Sequence, residues 1–148
     1  MPKSRFETIL KHREWIEDKV QRELAEIKYS LKEEEQRLAS YDQLRKDALR
    51  ELHLRQRKGT FVSEVLLYFS FLNQLSMQIR RQKGIIDDIR SKFSKKLEEL
   101  IEASKRKKIV MKIKEKELKE LLMEELKKEQ RFMDEIGITR YNRDRLNI

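Results

Sequence analysis

Three groups of residues in this 148-residue chain have the types that chemistry draws on. Lys58-Gly59-Thr60 carries the lysine and hydroxyl that close a phosphate-binding loop. Such a loop needs Gly-Lys-Thr after an upstream glycine, because backbone N–H groups must cradle the phosphate, and here the order is Lys-Gly-Thr with no glycine before it. His12 and His53 are the two imidazoles, far apart in sequence. Zinc would want them at helical spacing or joined by thiolates, and the chain has no cysteine. Glu33-Glu34-Glu35 and Asp87-Asp88 supply carboxylates, yet acid–base catalysis needs a concave, desolvated site. All of these patterns read as solvated helix faces or a turn. No catalytic residue, metal ligand or cofactor is expected.

The elements that would position any site are long helices. Charged residues make up 43% of the chain, with Lys+Arg 36 against Asp+Glu 27 and a net charge of +9. Ala, Glu, Lys, Leu and Arg together are about half of it, a composition typical of coiled coils. Three glycines and one proline leave too little punctuation for strand-turn-helix folds. The most apolar window, Phe61 to Ile79, is broken by Glu64, Asn73 and Gln74, short of the roughly 20 apolar residues that span a bilayer. No membrane insertion is expected. The absence of cysteine fits a reducing compartment, so the cytoplasm is expected, and the start of the chain alternates apolar and charged residues, unlike a signal peptide.

Apolar residues recur at steps of three and four from Phe6 to Leu52, through Leu10, Val20, Leu24, Ile27, Leu31, Leu38, Tyr41 and Ala48. This is a heptad seam, with Arg13, Glu17, Glu34 and Arg45 as polar interruptions that fix register. Gly59 suits the left-handed residue that ends a helix and Thr60 suits the cap of the next. A second seam opens at Phe61, Val65, Tyr68, Leu72, Leu75 and Ile79 and continues through Ile86, Ile89, Phe93 and Leu100. Lys96, Lys107 and Lys114 then fall on it while Leu97, Met111 and Leu118 come one residue late, which predicts a drift of register. A mid-helix glycine costs only about 1 kcal/mol, so the helix should continue through Gly84. The expected fold is all-α: a long antiparallel two-helix coiled coil, one domain over 1–148. Its helices span about 4–56 and 61–136, with a turn at about 57–60 and a flexible C-terminal tail over 137–148.

Folding at Gly59 sets residue i opposite roughly 118 − i, so the second helix overhangs the first by some 35 Å, taking about 1.5 Å per residue. The overhang is still amphipathic, carrying Ile113, Leu118, Leu121, Leu122, Leu126, Phe132 and Met133. Either a third helix packs on it, the end frays, or another protein covers it. Val62, Leu66, Leu67, Phe69 and Phe71 also lie off the seam, more apolar area than one partner helix hides, as at interaction sites. Trp15 is expected to pack on its neighbours. Between Lys105 and Lys119 stand eight basic residues against Glu115 and Glu117. Interleaved Ile109, Val110, Met111 and Ile113 and the absence of an aromatic platform argue against nucleic acid and for an acidic protein surface.

Four stretches, Phe6-Glu7-Thr8-Ile9-Leu10, Leu38-Ala39-Ser40-Tyr41-Asp42, Leu67 to Leu75, and Glu129-Gln130-Arg131-Phe132-Met133-Asp134-Glu135, give the chain a further character. In order and spacing they resemble the FliJ family of flagellar export proteins over about residues 6 to 140. The resemblance implies a non-enzymatic stalk and adaptor of the flagellar type III export apparatus, peripheral to the inner membrane. The implied partners are the hexameric export ATPase (FliI-like), the cytoplasmic domain of the export gate (FlhA-like) and export chaperones. The positions matching the family's gate contact are Leu38, Tyr41, Phe71, Leu75, Gln78 and Gln82; Glu34 and Arg45 depart from its pattern, where a Gln and an aromatic would be expected. For the ATPase pore, the ends of the hairpin offer Lys11, Arg13, Lys19, Leu118, Leu121, Arg131 and Arg140. A stalk of a virulence type III system and a nucleic-acid-associated coiled coil are the other readings.

Overall fold

The computed structural model describes residues 2–146; Asn147 and Ile148, the end of the expected tail, lie outside the described residues. Two helices account for nearly all of them, α1 over Pro2–Lys58 and α2 over Val62–Leu146. The fold is an all-α helical hairpin. Arg55, Arg57 and Lys58 crowd the last turn of α1, where cations offset the partial negative charge of unpaired carbonyls. Gly59 follows at φ 85, the left-handed conformation that costs a residue without a Cβ nothing.

Phe61, expected on the seam, is instead the cap of α2. Its carbonyl accepts from the Glu64 and Val65 backbone N–H groups at 3.1 and 3.2 Å, and its ring stands 78% exposed. Thr60 therefore sits one residue too early to cap, and its hydroxyl donates to Glu64 Oε2 at 2.5 Å. Nor does α2 stop at Gly137. It runs on to Leu146, since a single mid-helix glycine costs only about 1 kcal/mol relative to alanine. Gly84 is likewise inside the helix.

The chain divides into two compact units: Ile16–Ala103, and Met1–Trp15 together with Ser104–Ile148. In the first, the buried apolar side chains are Val20, Ala48, Leu52, Leu72, Leu75, Ile79, Ile86 and Ala103. Ala48, Leu52 and Leu72 form a cluster that Val65 and Tyr68 flank. Cross-helix partners fall within two residues of the expected antiparallel register: Arg55 with Glu64, Glu34 with Gln82, Glu23 with Lys96. Gln82 is the one buried polar residue of this core. Its amide donates to the Glu34 carbonyl at 3.0 Å and also to the Glu34 carboxylate, so two polar seam positions satisfy each other.

The expected drift of register does not occur. Lys96 keeps the seam position with its side chain 20% exposed, and Leu97 stays outside. The reason is electrostatic: Lys96 Nζ meets Glu23 at 2.5 Å and Glu99 at 3.0 Å, so its ammonium is paired while its stem packs. In the second unit the half-buried positions of α2 continue at the same spacing through Lys107, Val110, Lys114 and Glu117, leaving Met111 and Leu118 exposed. On α1 the half-buried positions of this unit are Phe6, Leu10 and Arg13. Beyond Glu117 every described residue is exposed except Ile136.

Candidate protein-interaction surfaces

Within Ile16–Ala103 the outward apolar face belongs to the start of α2. Val62, Leu66, Leu67, Phe69 and Phe71 are all exposed, as the off-seam reading expects, and Leu54 and Met77 join them. Leu67, Tyr68 and Phe71 line a shallow open groove. Tyr68 forms its half-buried wall, with the Arg55 guanidinium 5.4 Å from the ring centroid. Burial raises the Tyr68 hydroxyl above its ordinary pKa, with Arg55 opposing the shift, so the ring presents a neutral phenol. On α1, Ala25, Tyr29 and Leu31 line a second groove. A hydrogen bond with the Glu33 carboxylate, and the charge of that group, raise the Tyr29 hydroxyl as well. The seam reading passed over Leu54, Met77 and Tyr29; their off-seam phase was the available signal.

The six positions matched to a gate contact separate by burial. Phe71 and Gln78 are exposed, and Leu38 and Tyr41 are half-buried. Leu75 and Gln82 are only 4% exposed and form part of the interhelical core, so they shape the surface from beneath without facing a partner. Glu34, one of the departures from the family pattern, is the residue that holds Gln82.

In the second unit the exposed apolar side chains include Leu118, Leu121, Leu122, Leu126, Phe132, Met133, Ile138 and Tyr141. No third helix covers them among the described residues. Leu126, Phe132 and Met133 line a shallow groove with Glu129 and Gln130. Of the residues selected for the ATPase, Lys11, Leu118, Leu121, Arg131 and Arg140 are exposed and Arg13 is half-buried in this unit, whereas Lys19 is exposed in the other. Trp15 stacks with His12, ring centroids 6.3 Å apart at 16°, so this pair is a packing contact on the helix surface.

Among the described residues no group of three or more His, Cys, Asp and Glu could hold a metal ion. No helix among them is long and apolar enough to cross a membrane. What the chain presents is area: apolar grooves and charge on a helical hairpin, the equipment of a binding scaffold. The family model described as flagellar FliJ protein matches residues 2–146, and the chain belongs to the FliJ family. Membership gives it a role related to flagellar export. No curated protein and no solved structure matches the chain.

Proposed function

We propose that the chain is a non-catalytic adaptor that links the hexameric export ATPase to the cytoplasmic domain of the export gate and escorts export chaperones. It works in the cytoplasm, peripheral to the inner membrane. The observation that carries this reading is the exposure of apolar side chains in both units, Leu67 and Phe71 in one and Leu118, Leu121 and Leu122 in the other. A protein that binds two partners needs two such surfaces, and desolvating apolar side chains supplies most of the affinity at each. Leu67 and Phe71 would meet the gate, with Tyr41, Leu38 and Gln78 around them. The leucines and the cations Lys11, Arg131 and Arg140 would meet the ATPase, the cations steering the encounter with acidic loops. The match to a flagellar family favours the flagellar system over a virulence-type stalk, which shares the same physics.

The test is a binding titration of the full chain against the gate domain and the ATPase in parallel. Phe71→Ser with Leu67→Ser should weaken gate binding by about tenfold or more while ATPase binding and far-UV helicity hold, in the manner of interface hot spots. Leu118→Ser with Leu121→Ser should do the reverse. Loss of both partners by either pair, or of neither, rejects the two-surface adaptor.

A further inference from the structure

A stripe of six exposed lysines, Lys105, Lys108, Lys112, Lys116, Lys119 and Lys127, runs along α2 within the second unit. Their spacing of three, four, four and three residues, then eight, keeps them on one side of the helix. The half-buried positions Lys107, Val110, Lys114 and Glu117 occupy the other side. The stripe is roughly 33 Å long at about 1.5 Å per residue. Exposed Ile109, Met123 and Leu126 lie among the lysines in the same phase. The carboxylates of the stretch fall outside it, Glu115 and Glu120 at its edges and the others further round.

Such an arrangement works against the isolated helix. Lys108, Lys112 and Lys116 stand at successive i,i+4 positions, where like charges repel and destabilise the helix that carries them. An anionic counter-surface relieves that repulsion, and the details say which kind. Every cation of the stripe is a lysine, a hydrated point charge on a flexible stem, where bidentate reading of a phosphate or carboxylate would call for arginine. No aromatic side chain accompanies them for bases to stack on. The aromatic and arginine anchors of protein hot spots are equally missing from it. Interleaved Ile, Met and Leu have no role against a phosphate backbone, but they suit the headgroup boundary, where short apolar side chains dip in while lysine stems snorkel outward.

We propose that this face of α2, from Lys105 to Lys127, adsorbs to the surface of a bilayer rich in anionic phospholipid. The contact is interfacial, since no described helix could cross the membrane. It is independent of the adaptor reading, because neither Leu67 nor Phe71 takes part and Leu118, Leu121 and Leu122 lie away from the stripe.

The experiment is co-sedimentation of the full chain with phosphatidylcholine vesicles, with and without about one third phosphatidylglycerol, at low and high salt. Binding should require phosphatidylglycerol and weaken with salt. Each lysine near an anionic surface contributes about a fivefold gain in affinity, so Lys108→Gln, Lys112→Gln and Lys116→Gln together should lose about a hundredfold. A control triple on α1, Lys28→Gln, Lys32→Gln and Lys46→Gln, should lose far less at equal net charge. Ile109→Ser with Met123→Ser should weaken binding several-fold with every lysine intact, and far-UV circular dichroism should find all variants equally helical. Equal losses in the two triples, insensitivity to the serine pair, indifference to phosphatidylglycerol, or capture by a single-stranded RNA with no vesicle binding would each overturn the proposal.

Discussion

The two units use the same helices to opposite ends. In Ile16–Ala103, Leu52, Leu75 and Ile86 are each 4% exposed or less, and cross-helix contacts such as Glu34–Gln82 and Glu23–Lys96 tie the seam. In the unit made of Met1–Trp15 and Ser104–Ile148 no described side chain is buried, although its apolar residues are as large. What differs is how much of α2 has a second helix in its own unit: on α1 Phe6, Leu10 and Arg13 are half-buried there, but beyond Glu117 every described residue of α2 except Ile136 is exposed. An amphipathic stripe with a facing stripe becomes core, and the same stripe without one becomes a surface for something else. Stability and adhesiveness are therefore separable along this chain by mutation.

The sharpest way to break that separation is to truncate one leucine from each unit. Leu75→Ala should destabilise the protein by roughly 2–4 kcal/mol, since it removes a buried side chain and leaves a cavity the neighbouring turns only partly fill. Leu122→Ala, at 53% exposure, should stay within about 0.5 kcal/mol of the parent in the same urea titration. A large loss from Leu122→Ala would mean that the second unit has a hidden core.

Smaller effects should come from the glycines, and they test where backbone demands lie. A Cβ at Gly84 or Gly137 would meet nothing within 4 Å, and both sit in helix. Gly84→Ala should stabilise by about 0.5–1 kcal/mol, from helix propensity alone. Gly137→Ala should raise helicity by circular dichroism with little change in the global unfolding midpoint, because the residues around it contribute no core. Gly59→Ala should lose about 1–2 kcal/mol despite equally open space, since its positive φ forces a Cβ into a left-handed conformation.

Most of the hairpin was legible in the residue spacing. Val20, Ala48, Leu52, Leu72, Leu75 and Ile79 were readable as a seam, and Gly59 as the turn, because heptad periodicity and a left-handed stop are local signals. The two failures have different causes. Lys96 looked like a fault in the seam because its remedy, Glu23, lies on the other helix, and a one-dimensional pattern holds no such pairings. Gly137 looked like a stop because a glycine closing an apolar repeat resembles a helix end, whereas one mid-helix glycine costs only about 1 kcal/mol and α2 continues through it with its surface exposed. The candidate gate contact was legible in part. Phe71 announced itself by being off the seam, but Leu75 and Gln82 came from correspondence with a family pattern, which names positions without saying which way they face.

The smallest effect singles out the charged lock that holds the first unit in register. The hydrogen bond from Lys96 keeps the Glu23 carboxyl below the usual carboxylate range, against the opposing pull of desolvation and with help from the charges of Lys96 and Lys19. Hydrogen bonds to Glu23 and then Glu99 hold the Lys96 ammonium above its ordinary pKa. A carboxyl whose folded pKa is lowered adds stability above its unfolded pKa and loses it as pH falls through the folded value. An ammonium whose folded pKa is raised adds stability below its unfolded pKa and loses it as pH rises through the folded value. The difference in unfolding free energy between the parent and Lys96→Met should therefore be largest around neutral pH and shrink at both the acid and the alkaline end. Lys96→Met removes the charge but keeps an unbranched stem for the seam, so packing is nearly held and the pH dependence isolates the ion pair. A difference independent of pH would assign the position of Lys96 to packing, and the register would then rest on Gln82 and Glu34.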